Sequence, residues 1–514
     1  MAHMTTTAPV PHVAGSSPTE KHPDYLEHAP AWHRTRCMMK GADGIKEHAA
    51  EFLPPLPDHE DIRYAKERAR YVTRAPVYPA AGRTLDALSG AVFRLDPAVK
   101  LPRRYAPRIF DADNRGTSLL GFSQQVVREV LSVGRFGILI DAPADADMGG
   151  AGPLAGKPYL SGYTTENIIN WRYRSLGGQQ VLDQVVLTEH AIVPAAFGSI
   201  MRRRIRVLEL DDIEGYVIRL FEQGGDGEYH EIDRIVPKDW RGRRIERIPF
   251  VMVSAHESGD QIQRAPLLDL IDTNLSHVLV AADFASALFK ISAPTLVLYG
   301  FPVDEAHMPV EMGKLLFMPT EAKAELLEYK GDGLSAMERQ LDRLERHMGH
   351  LGARLLEQPK RAAETAETTR LKQHGETSVL ASISRTVSDG IGAALKVACE
   401  WDGDTGEIAF ELNQDFFDST LEPQMLDALV RAFQAGTLPM DDLFWNMKRG
   451  ETVRPELTVE EYREDLENHP MMLASRPAPL TLNADPDRDK GDRDKSDPTE
   501  DRKAERRGKA REAI

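Results

Sequence analysis

Four groups of residues have types and spacings that chemistry can use. Gly150 to Pro158 follows the apolar run Phe136 to Ile140, as a phosphate-binding loop follows its strand. Such a loop needs Gly, four residues, then Gly-Lys-Ser/Thr, so that backbone N–H groups cradle phosphate and the hydroxyl reaches magnesium. Position 151 is Ala and Pro158 follows Lys157, so the first glycine and the hydroxyl are both missing and the stretch reads as a surface loop. Asp485, Asp487 and Asp489 imitate the first half of a calcium loop, but the glycine comes one place late at Gly491 and Ser496 stands where a bidentate Glu belongs. His347 and His350 share one face of a helix, a spacing open to a metal or a pH response, and read as solvated or subunit-contacting histidines. Cys37 and Cys399 are far apart in sequence, Cys399 at core spacing, and both read as packing or incidental.

No Gly-x-Ser-x-Gly elbow and no His-Glu-x-x-His pair occurs anywhere in the chain. The sequence thus points to no catalytic residue, no metal site and no cofactor, and the expectation is a protein that is not an enzyme. Formal net charge is −16, which argues against wrapping nucleic acid through a general phosphate-neutralising surface, since that mode needs clustered Lys and Arg. Any contact with DNA must be loose or use local basic positions. With only two cysteines there is no disulfide framework, and a reducing compartment is expected. Met1 to Thr7 lacks the basic-then-apolar order of a secretory signal. The most apolar stretch, Val278 to Phe301, is interrupted by Asp283, Lys290 and Pro294, too broken for a membrane span.

The elements that must position any site follow from periodicity. From His22 to about Pro107 the pattern is mostly helical, with a charged helix at Arg63 to Arg74 closed by Pro76 and Pro79. Leu119 to Val133 predicts a helix ended by Gly134, and Phe136 to Ile140 a buried strand. Ala142 to Gly156 is a loop. Residues 158 to 253 are β-rich: Val181 to Leu187, Ile205 to Leu210 and Tyr216 to Phe221 read as strands, Gly224 to Gly227 as a hairpin turn before Tyr229 to Val236, and Ile248 to Val251 as the close of the lobe.

Leu267 to Phe289 carries apolar residues at helical spacing. An insert follows from Ser292 to Gly333, with strands expected at Thr295 to Tyr299 and Lys314 to Met318. A second long helix then begins, with Ser335 and Glu338 as a capping box. Leu334, Met337, Leu341, Leu344, Met348, Leu351 and Leu355 alternate spacings of three and four, an unbroken heptad seam. Such a seam is either buried core or a contact between subunits. At ~1.5 Å per residue each helix runs roughly 30–35 Å. A hinge at Gln358 to Arg361 leads to a third helix, Ala366 to about Cys399, with an apolar stripe Val379, Leu380, Ile383, Val387, Ile391, Leu395 and Ala398, and kinks expected at Gly375, Gly390 and Gly392. The hinge reads either as an exposed turn or as a basic loop, because Pro359 breaks the helix and Lys360-Arg361 is a basic pair in an acidic body. Gly406 to Leu412 predicts a strand, and Pro423 to Ala435, Met440 to Lys448 and Val459 to Glu467 predict short helices. From Ala484 to Ile514 ten basic and ten acidic residues balance, so that tail is expected to be disordered and the rest carries the whole net charge.

This order of parts resembles the portal proteins (head-to-tail connectors) of tailed bacteriophages, and locally a siphophage-type portal-like group. The residues that carry the likeness are Trp32 with Arg36, Tyr64, Arg68-Ala69, Arg83 to Leu85 with Gly90 and Phe93, and Gly134 to Gly137. Further on they are Ile248 to Phe250, Pro266-Leu267, Asp269-Leu270, Asn274 with His277, Pro294-Thr295, Gly300 and Glu364 to Ala366. The pattern departs at Cys37, where an acid is expected, and at Val278, where an aromatic is expected.

The resemblance implies an α+β subunit: a flexible 1–24, an α/β wing over 25–262, stem helices at 263–291 and 334–357 around a small α/β clip at 292–333, a tunnel loop at 358–365, a kinked wing helix and strand over 366–418, a helical crown at 419–474 and the charged tail from 475. It implies a homo-oligomeric ring of twelve copies at one capsid vertex of the virion, assembled in the host cytoplasm. Double-stranded DNA would pass through it without sequence reading during packaging and ejection. Its partners would be the terminase large subunit, the major capsid or scaffold protein and a head-completion adaptor, with no membrane. Gln358, Lys360, Arg361, Glu364 and Thr365 would line the channel, and the seam residues would face a neighbouring subunit. The alternative is a scaffold or minor capsid protein of a phage head.

Overall fold

The computed structural model describes residues 17–55, 65–143, 154, 156–256, 261–291, 295–299, 323–327, 333–354, 378–414, 416, 423–449, 452–454 and 457–468. Helix and strand are mixed, and the chain divides into two compact units, one ending at Phe416 and one beginning at Phe417.

The first unit opens with α1 (Pro23–Met39), where the His22 side chain accepts from Asp24 N and Pro23 takes the first turn, in which no N–H is needed. The short helices α2 (Ala42–Glu47) and α3 (Ala49–Phe52) turn the chain, then α4 (Ala65–Arg74) and α5 (Ala80–Val92) follow. The three residues β1 (Ala98–Lys100) are a strand inside a region that the sequence pattern reads as helical. The next helix, α6, spans Leu119–Val133 as expected. Ser118 Oγ accepts from Gly121 N at 3.1 Å, and Gly134 closes the helix at φ +85°, a conformation that glycine adopts without strain.

Strand β2 (Arg135–Asp141) is central to an antiparallel sheet between β3 (Tyr159–Thr164) and β9 (Phe250–Ser254). It is buried along all but its last residue, which is why it reads as an apolar run and not as an alternation. Between β3 and β9 the chain makes a five-stranded antiparallel meander of β4 (Ile168–Leu176), β5 (Gln179–Ala195), β6 (Gly198–Asp211), β7 (Gly215–Gln223) and β8 (Tyr229–Ile235). Gly177 and Gly178, both at positive φ, make the two-residue turn between β4 and β5.

Helix α7 (Leu268–Ile291) leads into an antiparallel hairpin of β10 (Thr295–Tyr299) and β11 (Lys323–Leu327), then α8 (Leu334–Arg354). The strand expected at Lys314 to Met318 lies outside the described residues, and the strand paired with β10 is β11. The carbonyl of Gly333 accepts from Ala336 N and Met337 N, so Ser335 stands inside the first turn of α8 and not at its cap, which corrects the expected capping box.

The third long helix, α9, spans Val379–Trp401, with Ser378 in extended backbone and its Oγ accepting from Ala381 N at 3.1 Å; the expected start at Ala366 lies outside the described residues. Leu380, Ile383, Val387, Ile391, Leu395 and Ala398 are buried against β9, β2, β3 and α6. Val379 departs from the stripe, 40% exposed on the first helical residue, before the turn brings its face inward. A Cβ on Gly390 would lie 2.8 Å from Val253 Cγ2, so this glycine lets the helix lie close on β9. After α9, β12 (Ala409–Glu411) pairs with β1, pinned by Ser384 Oγ donating to Asn413 O and Leu412 N donating to Ser388 Oγ.

The second unit contributes α10 (Pro423–Gln434), α11 (Met440–Arg449) and α12 (Val459–Asn468), all three where periodicity places them. Thr458 N donates to the Glu461 carboxylate at 3.0 Å while Glu461 N donates to Thr458 Oγ1 at 3.2 Å, a reciprocal cap. Residues 484–514 lie outside the described residues.

Candidate functional site

The paired helices α7 and α8 are the most distinctive part of the first unit. The root of the pair is a set of polar clamps. Asn274 is fully buried, its Oδ1 accepting from Ala81 N at 3.1 Å and its Nδ2 donating to Tyr78 O at 3.0 Å, which fixes the start of α5 on α7. His277, also buried, has Nε2 3.3 Å from Glu345 Oε1 of α8 and its ring 5.5 Å from the ring of Tyr78. Tyr71 donates to Asp283 Oδ1 at 2.8 Å, and burial, then that bond, pushes its phenol well above the usual range. At the other end of α8, Gly352 lies against Thr84. With both the start of α7 and the end of α8 at α5, the two helices run antiparallel away from the body to the β10–β11 hairpin.

Leu334, Met337, Leu341, Leu344, Met348 and Leu351 are the half-buried and buried positions of α8, Met348 at 3% exposed, while almost every other residue of the helix is exposed. This side of α8 packs on α7 within the same chain, so a subunit contact through the seam shares its residues with an internal one. Leu355 lies outside the described residues. Helix α7 is apolar on more than the side α8 covers: Val278, Ala281 and Ala282 are buried, Leu279, Val280, Phe284, Ala285 and Ala287 are half-buried, and Leu288 and Phe289 are 44% and 42% exposed. The guanidinium of Arg74 sits 3.4 Å from the centre of the Phe289 ring.

A second protruding element is the ribbon formed by β5 and β6. Pairing with β4 ends at Leu187 and pairing with β7 begins at Arg204, so residues 188–203 extend beyond the sheet as two strands. Ile192 faces Met201 across the ribbon and Val193 faces Ile200, and Phe197 is wholly exposed at the tip. Two strands alone in water are marginally stable, and apolar residues on both faces find no cover among the described residues.

A cleft of about 1660 Å³ opens between β3, the meander and the end of α9. Its floor is ionic: Arg206 Nη1 donates to Asp141 Oδ2 at 2.6 Å, Arg206 Nε lies 2.9 Å from Glu189 Oε1, and Tyr163 donates to Glu189. Burial, then the Asp141 carboxylate, pushes the Tyr159 phenol up to about 12. Arg206 bridges the two carboxylates and Tyr163 adds a further donor, so the floor is a structural lock. Sequence reasoning missed it; the available signal was charged residues at inward positions of alternating strands.

The proposed channel residues Gln358, Lys360, Arg361, Glu364 and Thr365 lie outside the described residues. His347 and His350 are both exposed on α8. Cys399 is buried in α9, and burial, then Asp404 and Asp402, pushes its thiol up to about 12. Cys37 is different: its Sγ and donor atoms of His33 and His48 lie within 4.8 Å of one another. The signal for this group was the four-residue spacing from His33 to Cys37 on one face of α1.

A family model described as a domain of unknown function (DUF4055) matches residues 266–402, from just before α7 to just after α9. No curated protein matches the chain. Among solved structures, a chain from the neck of an empty GTA particle computed with C6 symmetry is 14% identical, with a TM-score of 0.36 over 73% of this chain and 91% of its own. A chain from the virion of a native gene transfer agent (GTA) particle is 12% identical, with a TM-score of 0.34 and coverage of 73% and 91%. One from the neck of a native GTA particle computed with C12 symmetry is 12% identical, at 0.33, covering 70% and 86%. Among the described residues no helix is long and apolar enough to cross a membrane.

Proposed function

We propose that this chain is a portal protein, the ring-forming subunit of a phage head-to-tail channel, with an architectural and mechanical role and no catalysis of its own. One observation carries the reading: two antiparallel helices leave an α/β body, carry a small hairpin at their far end, and present more apolar surface on α7 than α8 covers. α8, α1, α4 and α5 cover much of α7 among the described residues, yet Leu288 and Phe289 stay partly exposed there, so copies of the same chain set side by side are the natural further cover. The same holds for the ribbon tip at Phe197. Head-to-tail contacts of this kind close into a ring when the rotation per subunit fits, and twelve copies are expected.

A conduit also suits the charge. A body at −16 repels the DNA backbone, so DNA slides and does not adhere, while sparse basic positions touch phosphate in passing. Lys360 and Arg361 are the proposed contacts. The terminase motor, capsid or scaffold protein and a head-completion adaptor are the proposed protein partners. Negative-stain microscopy of the purified chain tests the architecture: rings with a central hole support it, and shells, fibres or monomers contradict it. For the conduit, Lys360→Glu with Arg361→Glu should leave rings intact and lower the DNA content of assembled heads. Normal filling and retention at every salt concentration overturns the channel contact.

A further inference from the structure

We propose that His33, Cys37 and His48 bind one transition-metal ion of the zinc class, with Glu51 orienting His33. The four residues come from three elements that meet at one corner of the body. His33 and Cys37 are one helical turn apart on α1 and therefore share a face, the same logic by which two histidines four residues apart hold zinc. The corner folds back because α1 ends at Met39, Gly41 turns the chain at φ +68°, and α2 runs only to Glu47. That return places His48, at the joint of α2 and α3, with its ring centre 4.8 Å from that of His33.

The distances suit a metal. Cys37 Sγ is 3.9 Å from His33 Nδ1 and 3.8 Å from His33 Nε2, and the donor atoms of all three residues fall within 4.8 Å of one another. Tetrahedral zinc, with Zn–S near 2.3 Å and Zn–N near 2.0–2.1 Å, places its S and N donors roughly 3.5 Å apart. Small side-chain rotations close the difference. The donor set is one thiolate and two imidazoles, which prefers zinc-like ions over magnesium or calcium.

The surroundings supply the rest of a built site. Glu51 Oε2 lies 3.0 Å from His33 Nε2, so this carboxylate accepts from the Nε2–H and leaves Nδ1 for the ion, the common arrangement behind a ligating histidine. The Phe52 ring stacks against His33 at 5.9 Å and meets His48 at 6.5 Å, walling one side with apolar surface. Cys37 is buried, while His33 is 43% exposed in its side chain and leaves an entry path from solvent. Binding replaces the S–H bond of Cys37 with a metal–sulfur bond and releases the proton to solvent, with a water in the fourth position. The ion would tie the joint of α2 and α3 to α1, the helix that packs on α7.

The test uses the full-length chain stripped with a chelator and titrated with Co²⁺. A thiolate–cobalt charge-transfer band in the near ultraviolet should rise to one equivalent per chain and bleach on adding Zn²⁺. The chain has only two cysteines, and the other, Cys399, is fully buried in α9, so Cys399→Ser should keep the band and Cys37→Ser should abolish it. His48→Ala should weaken zinc binding by about tenfold or more, and Glu51→Gln by about tenfold. His48→Ala also decides the matter if Cys37→Ser does not fold. The absence of a thiolate band at stoichiometric cobalt, a band that survives Cys37→Ser, or unchanged zinc affinity in His48→Ala overturns the site.

Discussion

The sheet of β3, β2 and β9 with α6 and α9 against it, and the parts that leave this body, spend their apolar residues in opposite ways. In the body, β2 and one whole face of α9 are buried, Ser384 and Ser388 of α9 bond to Asn413 and Leu412, and Arg36 of α1 bonds to Glu129 and Glu166. In the ribbon, Ile192, Phe197, Ile200 and Met201 stand in solvent, and at the far end of α7 Leu288 and Phe289 are partly exposed. One region is complete within a single chain. The other, among the described residues, leaves apolar side chains at the surface, as the proposed assembling subunit requires.

Breaking the complete region should unfold it. Ile391, fully buried in α9, replaced by Asp would put an unpaired charge in the core, at a cost on the order of 4 kcal/mol or more. Thermal unfolding by circular dichroism should show little folded protein, and a normal transition would mean that α9 is not core.

A smaller loss is expected from Arg36→Ala. Arg36 Nε donates to Glu166 Oε1 at 2.7 Å and Nη1 to Glu129 Oε1 at 2.9 Å, joining α1 to α6 and to the turn before β4. Removing it leaves two carboxylates facing each other, at about 1–3 kcal/mol, less than for a fully buried pair because water reaches one side. Burial alone would raise the Glu166 carboxyl, but the hydrogen bonds and charge of Arg36 hold it below its ordinary value. A depressed folded value contributes stability above the ordinary glutamate value of about 4.3, and that contribution is lost as pH falls through the folded value. Denaturant midpoints measured from pH 6 downward should therefore drop in the parent below about pH 4, and drop less in Arg36→Ala.

Leu341→Asp with Leu344→Asp acts on the helix pair and not on the sheet. The body should keep its melting transition while rings are lost, since unpaired charges on the half-buried side of α8 loosen it from α7. Persisting rings would show that the pair is not needed for closure. The smallest effect on folding is expected from Phe197→Ser at the exposed tip, within about 0.5 kcal/mol. Its assembly should nevertheless weaken in sedimentation, and unchanged assembly would leave the tip without a partner.

What was legible in the sequence follows the same division. Helix α6 was readable to the residue because its apolar run and its terminal glycine agree, and the structure adds the Ser118 cap. The helices of the second unit were readable for similar reasons. Strand β11, Lys-Ala-Glu-Leu-Leu, is made of helix-favouring residues and is a strand because β10 pairs with it, which no local pattern announces. The cap that opens α9 at Ser378 was not read, because the serine lies inside a stretch of helical composition. The seam was visible as a stripe, but a stripe does not say whether its cover comes from the same chain. The His33–Cys37–His48 group needed the fold of the α1–α3 corner to bring its third member in.

Ring closure is most directly tested by the native mass of the purified chain at micromolar concentration. At 57.3 kDa per chain, twelve copies give a discrete species near roughly 0.7 MDa, retained across a range of salt concentrations. A chain that stays strictly monomeric at 57.3 kDa in every salt would contradict the ring.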